Sequence, residues 1–236
     1  LAHPDNTGRP SFNFSSMSEN SSNRGISLAG DYWYVKGIDV VGAGDNGMFV
    51  RGDNNLIEFC SFSENKDTGL QIGNGGSNNT ILNCDSFFNA DSSLENADGF
   101  ACKLDAGTGN KFIGCRAWQN LDDGWDGYLR GNDNMKHNAI YTNCIAAGNI
   151  YDGFDHNSNR GDIEIYNSVA YKNGRNINFS GSNIANSLTI KNTASFAGES
   201  DDSYRATTLD ITNNGWQDGI TTNASDFVSI DLTLLS

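Results

Sequence analysis

Proline is almost absent from this chain, two in 236 residues, and histidine is scarce at three. Its bends must come from other residues, and 27 glycines with asparagine throughout supply them. No apolar run approaches the ~18 residues that a membrane-spanning helix needs. Basic side chains are few, 15 Lys and Arg against 29 Asp and Glu, for a formal net charge of −14. So acidic a chain argues against nucleic acid as a partner. Five cysteines is an odd number and fits a complete disulfide framework poorly. No 3.6-residue apolar periodicity runs long enough to supply a crossover helix. No charged and apolar leader opens at Leu1, so any export signal is expected to have been removed already, and export is not readable directly. What is present is aromatic, 11% of the chain, too much for a disordered acidic tail. The length suits one domain, residues 1–236, with a sizeable core.

The chain repeats itself. Aligned on one cysteine, IEFCSFSEN, ILNCDSFFN, FIGCRAWQN and YTNCIAAGN place Cys60, Cys84, Cys115 and Cys144 in one column. Asn65, Asn89, Asn120 and Asn149 form a second column five residues on. YNSVAYKN continues the frame with Ser168 and Asn173, and KNTASFAG fades from it with Thr193. A third column pairs glycine with a large apolar residue: Gly47-Met48, Gly69-Leu70, Gly99-Phe100, Gly124-Trp125 and Gly153-Phe154. Short alternating segments and turns at such a period predict an all-β parallel β-helix of about seven or eight coils, each repeat one coil. Equivalent residues then stack at the strand spacing, roughly 4.8 Å. The asparagines should form an amide ladder. The cysteines should form a buried ladder of small apolar groups rather than a zinc site, for which they are too dispersed. The first 20 residues and those after 200 fit the frame weakly.

The segment QNLDDGWDGYLRG, Gln119 to Gly131, crowds three aspartates around Gly124 and Trp125. The frame puts Asp98 and Asp123, each directly before an aligned glycine, about 5 Å apart on adjacent coils. Asp122 and Asp126 flank Asp123. Four carboxylates on one lateral edge repel one another and must take up protons or a cation. Oxygen donors with no imidazole or thiolate nearby point to Ca²⁺. Turn capping by aspartate is the competing explanation. Asp152 and Asp155 repeat the pattern one coil on, DGFD after DGWD, as more of the acidic edge or as turn residues. Trp125 should point inward as core.

NADGFACKL, GCRAWQNLDDGWDGY, GFDHN and YNSVAYKNG, with DYWYVKGIDVVGAGDNGMFVRG earlier, together resemble polysaccharide lyase family 9. The similarity runs from about Asp31 to Phe179, and within the family it is greatest to pectate and rhamnogalacturonan lyases. The resemblance implies a right-handed parallel β-helix, secretion or a cell-surface or periplasmic location, and Ca²⁺-dependent β-elimination of a uronate-containing pectic polymer. The expected partner is thus an acidic plant cell-wall polysaccharide, met by a monomer. The family's calcium aspartates fall on Asp98, Asp122, Asp123 and Asp126. In that chemistry the C5 proton beside the uronate carboxylate is removed, the leaving group departs from C4, and the metal stabilises the developing charge.

The chain departs from the family where the base belongs. That base is usually a lysine in a GFK-type motif one coil beyond the calcium coil. Here Asp126-Gly127-Tyr128-Leu129-Arg130 runs almost directly into Gly131-Asn132-Asp133-Asn134, about one coil short, and Asp155 follows Gly153-Phe154. Lys103 and Arg130 are the nearest basic candidates for catalysis, although arginine is a poor base. Tyr128 and Arg130 are candidates for binding an acidic sugar, since arginine pairs bidentately with carboxylates. His137 is a lone histidine with a structural or solvated role expected. The alternatives to a lyase are a calcium-binding glycan-binding β-helix that has lost its base, an adhesin-like solenoid with capping aspartates, and a uronate epimerase.

Overall fold

A computed structural model describes residues 8–130, 138–181 and 183–234. The junction beyond Arg130, from Gly131, and His137 lie outside these residues. Three eight-stranded sheets run side by side along the chain, and each coil adds one strand to each sheet. Every neighbouring pair is parallel, as the repeat frame requires. The helical elements described are two short 3-10 turns, Ala224–Asp226 and Leu232–Leu234. Among the described residues no helix is long and apolar enough to cross a membrane.

The predicted columns are ladders in register. Met48, Leu70, Phe100, Trp125 and Phe154 are successive partners in one sheet. Their side chains fill the coil interior, where Trp125 stacks on Phe100 at 5.2 Å and on Phe154 at 4.9 Å between ring centroids. Each such aromatic contributes about 1.5–3 kcal/mol by leaving water. Trp125 is fully buried, so it packs the core and meets no sugar. The asparagine ladder is continuous: Asn65, Asn89, Asn120 and Asn149 each donate a side-chain N–H to the next coil's amide oxygen at 2.9 Å.

The cysteine column is a ladder of buried, unbridged thiols. Each Sγ approaches the carbonyl two residues back, at 3.3–3.6 Å. Ser168 and Thr193, which replace cysteine farther along, donate to that same carbonyl through a hydroxyl. The column thus selects a small side chain with an S–H or O–H, which is why the three residue types interchange.

Asparagine and glycine are abundant for a conformational reason. The residue before each cysteine position turns the corner between two sheets with positive φ, as at Asn83 (51°), Gly114 (65°), Asn143 (55°) and Asn167 (49°). Glycine reaches that region without a Cβ clash, and asparagine tolerates it better than most. At the far end, strand Ala206–Thr212 closes the third sheet, and Phe227 stacks on Phe196 at 4.8 Å to cover the outer face of the first.

Candidate functional site

The site grows from the sheet that holds strands Phe100–Cys102, Trp125–Asp126 and Asp152–Asp155. Side chains alternate along a strand, so burying Trp125 and Phe154 turns Asp126 and Asp155 to the other face. Those two aspartates are direct partners across adjacent coils. The turn before each strand supplies the others. Gly99 N–H donates to the Asp123 carbonyl, which places Asp98 beside Asp123 as the frame requires. Gly124 is forced by packing: a Cβ there would lie 2.6 Å from the Gly153 carbonyl oxygen.

Five carboxylates result. Oxygens of Asp98, Asp122 and Asp123 lie within 4.8 Å of one another, and so do oxygens of Asp123, Asp126 and Asp155. The four aspartates expected from sequence are thus brought together, but as two overlapping groups, with Asp155 as an addition. Part of the capping expectation also holds: Asp98 Oδ1 accepts from the Asp123 N–H at 3.3 Å, and Asp123 Oδ1 from the Asp152 N–H at 2.7 Å. Each capping contact uses one oxygen and leaves the other to the cluster.

Among the described residues, one cation lies inside the cluster. Lys103, 7% exposed, places Nζ 2.6 Å from Asp98 Oδ2 and 3.0 Å from Asp126 Oδ2. Thr68 Oγ1 also donates to Asp98 Oδ2, at 2.8 Å. Burial disfavours the ammonium, but Asp98 and Asp126 outweigh it and hold Lys103 well above the usual lysine range. The remaining carboxylates are underneutralised. Burial, against the opposing Lys103, pushes Asp98 up to about 7. Burial followed by repulsion from Asp98 and Asp126 takes Asp122 to about 9. Burial followed by Asp155 raises Asp123 well above the carboxylate range, and the same two causes lift Asp152 to about 6. Without metal the cluster holds protons at neutral pH, and a cation would take their place.

An open cleft of about 330 Å³ adjoins the cluster, lined by Glu95, Asp122, Asp123, Tyr151, Asp152, Asp155 and Asn157. Tyr128, 38% exposed, follows the acidic strand and donates its N–H to Asp126 Oδ1 at 3.0 Å. Arg130 lies exposed two residues beyond it. Lys103, a candidate for catalysis from the sequence, sits in a double ion pair that becomes visible only once coils are stacked. Asp155 had a signal in the DGWD–DGFD repeat.

The donor set suits a hard cation: every group of the two clusters is a carboxylate. Among the described residues the buried Asp155 Oδ1 has no hydrogen-bond partner, and the His156 Nδ1 lies 3.9 Å from it. These residues fit Ca²⁺, which would be held among Asp98, Asp122, Asp123 and Asp126, with Asp155 adjoining.

Fold and site define a class: a parallel β-helix with a carboxylate-rich lateral edge. More narrowly, residues 1–135 match the family model described as "Pel9A-like, right handed beta helix region", and the chain belongs to that family. It is 36% identical to pectate lyase L of Dickeya chrysanthemi, over 97% of this chain and 62% of that protein. The chain thus spans under two thirds of that relative's length. Their alignment extends over 268 residues, more than the 236 present here, so the relative carries residues with no counterpart. The crystal structure of pectate lyase Pel9A superposes with a TM-score of 0.73 at 36% identity, covering 96% of this chain and 65% of that one. A rhamnogalacturonan lyase gives the same TM-score at 23% identity, covering 98% and 72%, which is likeness of fold.

Proposed function

We propose that this chain is a calcium-dependent polysaccharide lyase that cleaves a uronate-containing pectic polymer, homogalacturonan or rhamnogalacturonan, by β-elimination, outside the cell. The observation that carries this reading is the convergence of Asp98, Asp122, Asp123 and Asp126 beside an open cleft. Kinship with pectate lyase L, named for that activity, supports the substrate class. Bound there, Ca²⁺ would supply positive charge to a uronate carboxylate and to the charge that builds when C5 loses its proton.

The chain's own residues divide the remaining work. The cleft leaves a polymer free to lie across the edge. Tyr128 and Arg130, exposed at the exit of the acidic strand, would meet an acidic sugar, with the guanidinium as carboxylate partner. Lys103 serves as the cluster's internal counter-ion. Clamped by two carboxylates and held as an ammonium, it has no lone pair with which to take the C5 proton. Arg130 is likewise unsuited to accept a proton.

That same observation favours a second reading, a β-helix that binds calcium and pectic glycan without cutting it. An assay on a panel of pectic polymers, with calcium and with chelator, separates the two. Calcium-dependent ultraviolet absorbance of an unsaturated product is the expected result. Calcium binding with no product on any polymer would sink the lyase and leave the glycan-binding protein.

A further inference from the structure

Two arginines of this solenoid meet a carboxylate of a neighbouring coil. Arg24 Nε lies 3.1 Å from Asp45 Oδ2, and Arg116 forks Nε and Nη2 onto the two Asp85 oxygens at 2.7 and 2.8 Å. Arg175 has no such partner. Among the described residues its guanidinium makes one hydrogen bond, from Nη1 to Asn178 Oδ1 at 2.8 Å, and no ion pair. That oxygen is shared with Ser180 Oγ, and the Asn178 Nδ2 is spent on Asp152 Oδ2. The Arg175 Nε–H is buried with no acceptor, a donor that is costly to leave unmet. The edge that Arg116 turns to a carboxylate is therefore vacant on Arg175.

That vacancy borders a cleft of about 370 Å³, lined by Ile150, Tyr151, Asp152, Gly174, Arg175 and Glu199 among others. Close backbone approach builds its floor: a Cβ on Gly174 would lie 2.5 Å from the Ile150 carbonyl oxygen and 2.6 Å from that of Tyr151. The Arg175 N–H donates to the Tyr151 carbonyl at 2.9 Å. The loop backbone is thus pinned, while the side chains of Ile150 and Tyr151 stand more than half clear or half clear of the protein. Tyr151 and Asp152 also line the cleft beside the acidic cluster, so the two clefts run into one another. Asp152 donates its N–H to Asp123 Oδ1, and Arg175 is the sheet partner of Asp152. Arg175 therefore stands two coils, roughly 10 Å, beyond Asp123.

We propose that Arg175 and Tyr151 form a subsite for a second uronate residue of the bound polymer, with the sugar carboxylate on the guanidinium and the ring against the phenol. This inference rests on the pectic reading above and deepens it. A uronate polymer carries carboxylates at regular intervals, and two coils is farther than one pyranose ring reaches. A chain with one carboxylate at the acidic edge thus brings another residue's carboxylate to Arg175. Its entry would draw the guanidinium outward and give the Nε–H the acceptor it lacks, as a charge-assisted fork. Asp152 and Glu199 line the same cleft, so net charge does not attract an anion there. The matched fork selects the carboxylate, and the two acidic side chains suit the sugar hydroxyls as acceptors.

The test is retardation of the full chain in native gels that hold polygalacturonate, with calcium. Arg175→Gln should bind about tenfold to a hundredfold more weakly than wild type, the loss of one charge-assisted fork. Tyr151→Ala should show a smaller loss. Its side chain is half exposed, so this second variant keeps the test open should Arg175→Gln fold poorly. In gels of carboxyl-reduced polygalacturonate, Arg175→Gln should match wild type; an equal loss there would overturn the carboxylate assignment. If both variants bind polygalacturonate as wild type does while Asp123→Asn binds weakly, the subsite is wrong and the pectic reading stands. If wild type is not retarded at all, both fall.

Discussion

Replacing Lys103 with methionine keeps most of the side chain's length and removes its charge. The ammonium contacts Asp98 at 2.6 Å and Asp126 at 3.0 Å, and Asp98 is fully buried. In chelator, Lys103→Met leaves these carboxylates two ways to respond. They can remain charged without their partner, at about 3–5 kcal/mol for a broken buried pair. Or one can take up a proton: at pH 7, about three units above an ordinary carboxyl at 1.36 kcal/mol per unit, that costs about 4 kcal/mol. Both routes arrive near 4 kcal/mol. For a chain of this size each kcal/mol moves the midpoint by about 2–4 °C, so thermal unfolding in chelator at pH 7 should fall by about 8–16 °C. At pH 5 the proton route costs only about 1.5 kcal/mol, so the fall should shrink to about 3–6 °C. Calcium should restore more of the loss in the variant than it adds to wild type, because a bound cation supplies the missing charge. Circular dichroism melts of both proteins, with calcium and with chelator, read this out. A fall under about 2 °C in chelator at pH 7, or an equal fall at pH 5, would refute the buried counter-ion and make Lys103 an ordinary solvated lysine.

Two further expectations follow from the same cluster and from the ladder behind it. In chelator, Asp98 at about 7, Asp122 at about 9 and Asp152 at about 6 all lie above their unfolded values, so the folded state binds more protons and stability should fall as pH rises from 5 to 9. Melts at pH 5, 7 and 9 check this, with calcium flattening the trend, and a flat or rising profile in chelator counts against it. Asn120→Ala removes the amide oxygen that accepts from the Asn89 backbone and side chain; the buried Asn89 N–H is stranded, while Asn89 Nδ2 keeps Ser86 Oγ and Asn149 Oδ1 keeps the Asn120 N–H. At about 1–3 kcal/mol for that stranded group, denaturant unfolding should show a loss of about 1–3 kcal/mol, and a loss under about 0.5 would mean the ladder relaxes around the gap.

What the sequence made legible is what a solenoid writes twice. Cys60, Cys84, Cys115 and Cys144 occupy equivalent places in successive coils, so one physical demand, a small buried donor, recurs at one spacing and can be aligned by eye. Asp98 and Asp123 inherit their relation from that frame, because each precedes a ladder glycine. A second asparagine ladder, Asn55, Asn79 and Asn110, was missed although each lies five residues before a column cysteine. It spans three coils and is masked by turn asparagines beside it, Asn54 and Asn78, which serve a conformational demand instead. Lys103 was out of reach for a different reason. A lysine after a strand is ordinarily solvated, and nothing in ACKL says that Asp126 will arrive from the next coil to bury it. A charge whose partner sits on another coil is defined by stacking, and the repeat fixes stacking only for positions that recur; Lys103 occurs once. Asp155 falls between these cases. Its column is legible from DGWD and DGFD, but its consequence depends on which coil lies next to it. Because that neighbour is the acidic coil itself, Asp155 adds one more carboxylate to the edge.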